Sequence, residues 1–190
     1  MSKARARKIK LLLFDVDGVM TDGKLWIFPN PPLPKPGKGG APAAKGGAPI
    51  GTPDEIEAKG FHAHDGSGIS LARLAGLKTG LITKRISETV ALRARDLKLD
   101  YVYQGVAVKV RTFEEILRQE KITATEAAYV GDDVIDLPVM RRCGFAVAVA
   151  NARDEVKQEA HWVTPHAGGD GALRDVVDYI LLGFASPRSR

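Results

Sequence analysis

The apolar positions of this chain fall into short segments whose period alternates between strand and helix. Ile9–Val16 is a β-rich apolar run broken only by Lys10 and Asp15. Lys78–Thr83, Tyr101–Tyr103, Ala127–Val130 and Phe145–Val149 predict further strands. Helical spacing predicts helices over Gly68–Ala75, Ser87–Leu97, Val110–Gln119, Leu137–Arg142, Asp154–Ala160 and Ala172–Leu182. Strands separated by helices call for a parallel sheet covered on both faces. Right-handed crossovers then give an α/β, doubly wound fold. Two short candidate strands, Lys24–Phe28 and Glu55–Phe61, sit outside that alternation and predict a small β-hairpin flap. The length of 190 residues suits one domain spanning 1–190.

Composition changes this picture at one place. Segment 29–53 holds 8 of the 11 prolines and has no Asp or Glu. Such a stretch cannot bury a core, so a flexible Pro/Gly-rich insertion is expected in the hairpin. The formal net charge is +5, and five cations lie in the first ten residues. With no basic face or nucleic-acid motif, that excess reads as a solvated arm, and no nucleic-acid partner is expected. No apolar run reaches the roughly 20 residues of a membrane helix, so no membrane association and a cytoplasmic location are expected. The single cysteine, Cys143, excludes an internal disulfide and reads as a packed apolar residue.

In a doubly wound sheet, ligands bind beyond the carboxyl ends of the strands. The segments after the strands are Asp15-Val16-Asp17-Gly18, then Thr83-Lys84-Arg85, then a loop ending at Lys109, then Gly131-Asp132-Asp133-Val134-Ile135-Asp136. Carboxylates, a hydroxyl and a lysine on one edge suit phosphoryl transfer, where catalysis is mainly positioning and charge stabilisation. Asp15 can attack phosphorus, and Asp17 can serve as general acid and base. Mg²⁺ prefers a few carboxylates plus substrate oxygens, here Asp15, Asp132 and an oxygen at Asp17 such as its carbonyl. Thr83, Arg85 and Lys109 face an anionic phosphate. Single DxD pairs are common; the ordered combination after successive strands is what carries the signal. The four histidines lack zinc-like spacing.

These motifs resemble the haloacid dehalogenase superfamily, and DVDGVMTDG, FHAHDGSGISLARLAG, DYVYQGVAVK, GDDVIDLPVM and GGDGALRD resemble its capless 3-deoxy-D-manno-octulosonate 8-phosphate phosphatase family. The resemblance implies Asp15 as nucleophile, Asp17 as acid/base, Thr83 and Lys109 as phosphate binders and Asp132 as metal ligand, with Asp133 and Asp136 supporting it. It also implies a sugar-acid phosphate substrate and a homotetramer without a cap domain. In that assembly the hairpin packs between subunits, and the tail Gly168–Arg174 lies near a neighbouring active site. The chain departs from the pattern in having Lys84 in place of glycine, Val108 before Lys109, and the insertion at the hairpin tip. The same residues leave other readings open. One is a related phosphatase of nine-carbon sugar-acid 9-phosphates; another is a phosphoacceptor signalling domain, against which Asp17 speaks. A scaffold with a vestigial site is opposed by the intact carboxylates.

Overall fold

The computed structural model describes residues 2–29 and 55–182; the expected insertion lies outside them beyond Pro29. The strands are β1 Leu11–Phe14, β2 Trp26–Pro29, β3 Glu55–Ala58, β4 Lys78–Ile82, β5 Tyr101–Tyr103, β6 Ala127–Gly131, β7 Phe145–Ala148 and β8 Trp162–Val163. The helices are α1 Ser2–Ala6, α2 Ala63–Leu74, α3 Glu88–Leu97, α4 Lys109–Glu120, α5 Leu137–Met140, α6 Asp154–Glu159 and α7 Ala172–Leu182.

Six strands form one parallel sheet in the order β5-β4-β1-β6-β7-β8. From β1 the chain steps outward to β4 and β5. It then returns over α4 to lay β6 on the other flank of β1. This reversal opens a crevice between the carboxyl ends of β1 and β6, the place where such sheets bind ligands. β1, β6 and β7 are buried at every position, which is why they read as continuous apolar runs rather than alternating ones.

β2 and β3 form a separate antiparallel hairpin in which Trp26 faces Ala58, Ile27 faces Glu57 and Phe28 faces Ile56. Alternation therefore puts Trp26, Phe28 and Ile56 on one face, and Ile27 and Glu57 on the other.

Three expectations change. The basic N-terminal segment is no free arm: it opens with α1, whose Ala6 is buried, and Arg5 Nη1 donates to the Gly144 carbonyl at 3.0 Å. α2 starts at Ala63, not Gly68, because His62 caps it by accepting from the His64 N–H. The glycines that looked like a pre-helix loop are packing positions. A Cβ on Gly68 would lie 3.0 Å from the Arg174 backbone of α7, so glycine is what lets α2 and α7 approach. Finally, β8 is a two-residue edge strand with no hydrophobic period long enough to read. Among the described residues, no helix is long and apolar enough to cross a membrane.

Candidate active site

The loops leaving the carboxyl ends of β1 and β6 line the crevice. The Asp15 N–H donates to the Val130 carbonyl at 3.0 Å, extending the ladder one step and fixing Asp15 at the sheet edge. Lys109 is the first residue of α4, where the helix dipole opposes a cation. Two carboxylates offset this: Lys109 Nζ lies 2.6 Å from Asp15 Oδ2 and 2.8 Å from Asp136 Oδ1. All three side chains are buried. Asp136 is in turn fully hydrogen-bonded. Its Oδ1 also accepts from Tyr129 OH at 2.9 Å, and its Oδ2 accepts from the Asp132 and Asp133 N–H groups at 3.1 and 3.4 Å.

Burial sets the electrostatics. It pushes the Asp15 carboxyl up to about 6, against the pull of Lys109 and with the help of Asp136. It pushes Asp132 up to about 7, aided by Asp136, Asp15 and Asp133. For Lys109, burial works against the charge, but Asp136 and Asp15 outweigh it and hold the pKa above its ordinary value. Tyr129, wholly enclosed, is held well above its ordinary value, so it stays a donor to Asp136.

Asp15, Asp132 and Asp136 each offer an oxygen within 4.8 Å of the others. The hydrogen bonds on Asp136 occupy both its oxygens, which makes it a brace. Asp132 differs: its Oδ1 is buried without a hydrogen-bond partner. An orphaned carboxylate oxygen beside a second buried carboxylate is costly unless a cation satisfies it. The donor set is all oxygen, so the residues fit a hard divalent ion held by Asp15 and Asp132.

The remaining expected residues divide. Thr83 is buried just past β4, its N–H held by the Tyr103 carbonyl at 2.9 Å. Lys84 is exposed. The Asp133 carboxylate turns outward and accepts from the Val134 N–H at 2.7 Å, capping its own turn. The Asp17 carboxylate stands apart from the buried trio; its Oδ1 pairs with Lys59 Nζ, and its Oδ2 lies 3.5 Å from Arg85 Nε. Arg85 Nη2 also donates to Glu57 Oε1 at 3.0 Å. Within its own chain, the tail Gly168–Arg174 begins against the loops after β7 and β1. The Gly168 N–H donates to Asn151 Oδ1 at 2.6 Å, and the Gly169 N–H donates to the Val19 carbonyl at 3.0 Å.

Sequence reasoning passed over four contributors. Glu57 and Lys59 come from the hairpin stem, away from the carboxyl edge of the parallel sheet. Tyr129 points inward from within β6 and left no pattern to distinguish it from core. Asn151 had a usable signal, because it comes just after β7 at the same edge; its Nδ2 donates to the Gly18 carbonyl at 3.0 Å.

Residues 82–174 match the haloacid dehalogenase-like hydrolase family. The 3-deoxy-D-manno-octulosonate 8-phosphate phosphatase of Escherichia coli K12 is 36% identical over 179 residues, covering 94% of this chain and 82% of its own. The crystal structure of the Yersinia pestis enzyme of that name superposes with a TM-score of 0.80 at 35% identity, covering 95% of this chain and 85% of that one. The Moraxella catarrhalis enzyme of that name, with a TM-score of 0.78 at 29% identity, covers 95% and 90%; its crystal structure holds a magnesium ion, a phosphate ion and a KDO molecule. The chain therefore belongs to the haloacid dehalogenase-like hydrolases, in the family of the 3-deoxy-D-manno-octulosonate 8-phosphate phosphatases.

Proposed function

We propose that this protein is a magnesium-dependent phosphatase that converts 3-deoxy-D-manno-octulosonate 8-phosphate to the free sugar acid and phosphate, in lipopolysaccharide precursor synthesis. The observation that carries this reading is the buried Asp15 carboxylate held 2.6 Å from Lys109 at the switch point of the sheet. Asp15 is the nucleophile: an oxygen of its carboxylate bonds to phosphorus while the bond to the sugar oxygen breaks. Asp17 gives its proton to that leaving alkoxide, then takes one from the water that hydrolyses the aspartyl-phosphate. Lys109 and the Thr83 hydroxyl bind the phosphoryl oxygens, with Arg85 at the rim of the site. Asp15 and Asp132 hold the magnesium ion together with an oxygen at Asp17, and Asp136 braces Lys109 from below. When bound, the ion neutralises the charge of the phosphoryl group and of the carboxylates around it.

The reading extends to the whole protein as one domain with a Pro/Gly-rich insertion at 29–53. It also extends to a cytoplasmic setting, in keeping with the free, buried Cys143. It carries a homotetramer whose subunits meet through the outward face of the hairpin. Trp26, Phe28 and Ile56 are each about half exposed on that face, more apolar surface than a lone hairpin leaves in water.

The test is a panel of sugar phosphates with Mg²⁺. The eight-carbon sugar-acid 8-phosphate is expected to be hydrolysed with the highest kcat/KM. Asp15→Asn is expected to abolish turnover, a loss of at least about 10⁴-fold. A clear preference for a nine-carbon 9-phosphate would overturn the substrate; near wild-type activity of Asp15→Asn would overturn the nucleophile.

A further inference from the structure

The hairpin stem delivers a lysine into the site. Lys59 lies directly after β3, and its side chain has no solvent exposure at all. Both of its partners are carboxylates: Asp17, in direct contact, and Glu57 Oε1 at 3.5 Å.

Lys59 is also firmly mounted. Glu57, two residues before it, accepts from Arg85 at 3.0 Å and from the Ser87 hydroxyl, while its carbonyl accepts from Thr89 Oγ1 at 3.2 Å. These bonds fasten the stem to the loop after β4 and the start of α3. Asp17 has no comparable mounting. Three carboxylates, Asp15, Asp132 and Asp136, crowd the inner side of the site and repel a fourth. On the outer side, Arg85 reaches Asp17 only at 3.5 Å and has a side chain 44% exposed. Lys59 is the one enclosed cation in contact with the Asp17 carboxylate among the described residues.

Chemistry makes that contact matter. An in-line displacement puts the leaving oxygen on the side of phosphorus opposite the Asp15 carboxylate, so an acid that protonates it has to stand clear of the carboxylate cluster. We propose that Lys59 is a positioning residue that holds the Asp17 carboxylate out of the carboxylate cluster and on the leaving-group side. This rests on the phosphatase reading above. It makes the hairpin part of the catalytic apparatus of its own chain, in addition to any role between subunits.

The experiment compares wild type, Lys59→Met, Lys59→Arg, Asp17→Asn and the Lys59→Met/Asp17→Asn double variant. Each is assayed with Mg²⁺ on the sugar-acid phosphate and on p-nitrophenyl phosphate, whose phenolate departs without a proton. Lys59→Met is expected to lower kcat on the sugar phosphate by about 30-fold or more, and on the aryl ester by less than about threefold. KM is expected to hold within about threefold on both, since the lysine acts through Asp17 and not on substrate. The double variant should be no slower than Asp17→Asn, and Lys59→Arg should recover much of the loss. A lysine that merely propped the hairpin would slow both substrates alike, and that result overturns the proposal. So does a loss confined to KM, or full additivity with Asp17→Asn. If wild type hydrolyses neither ester, the phosphatase reading itself has failed, and this proposal falls with it.

Discussion

Gly18 answers two demands at one position. Its φ of +87° lies in the left-handed region that side chains with a Cβ rarely adopt. A Cβ there would also lie 2.1 Å from Asp132 Oδ2. The loop after β1 thus turns back over Asp132 with no room to spare. Gly18→Ala is expected to cost roughly 1–3 kcal/mol in urea unfolding, from backbone strain. It should cost more in catalysis, about 100-fold or more in kcat, because it displaces the Asp132 carboxylate, which is proposed to hold the metal. The neighbouring acids give a pH signature. Asp15 and Asp132 bind protons more tightly when folded, at about 6 and about 7 against the ordinary 3.8. Their contribution to stability is therefore fully present below the ordinary 3.8, shrinks as pH rises above it, and is lost once pH passes about 6 and about 7. Without divalent ions, Tm is expected to fall over that window, and to fall less in Asp132→Asn. Added Mg²⁺ should raise the wild-type Tm more at pH 8 than at pH 5, because only the ionised carboxylates bind it. Thermal melts in chelator and in Mg²⁺ check both statements.

At the scale of elements, legibility tracked the physics that made each one. Strands buried on both faces left apolar runs, so β1, β6 and β7 were plain; β4 showed through the Leu81-Ile82 end of KTGLI, and with these strands came the edge carrying Asp15, Thr83 and Asp132. Lys109 was visible because it opens a helix directly after a strand loop. Elements stabilised by tertiary contact were less plain. α2 carries Gly66 and Gly68, poor helix formers chosen for close approach to Arg93 and Arg174, and its first turn looked like a loop. α1 reads as a charged arm until Ala6 is seen against the core. The ion pairs of Lys59 and Glu57 were invisible for another reason. No period or spacing relates a hairpin stem to a loop some thirty residues later; only the folded path of the chain does.

The whole molecule gathers its chemistry at the one point where strand order reverses. Crossovers on both sides of β1 bring loops from β1, β4 and β6 together, and α4 supplies Lys109 from the return path. Asn151 then stitches the loops after β1 and β8 to that centre through Gly18 and Gly168. Among the described residues, Trp26 is 54% exposed and Phe28 48% on the hairpin. The homotetramer reading expects Trp26→Lys combined with Phe28→Glu to yield smaller species in light scattering, with the circular dichroism of the fold retained. An unchanged mass would remove the hairpin from the interface.

The two-sided hairpin carries a consequence for how this chain can vary. Residues that alternate along a strand belong to opposite errands: Phe28 and Ile56 look outward, while Glu57 between Ile56 and Ala58 looks toward the catalytic loops. Lengthening the chain between the two strands leaves that assignment untouched, whatever is added. Adding or deleting one residue inside either strand exchanges the errands, presenting the acid anchor to the outside and an aliphatic side chain to the catalytic loops. The tip is thus a place where the sequence is free to drift in length, and the stem, a few residues away, is a place where it can change in composition but not in count.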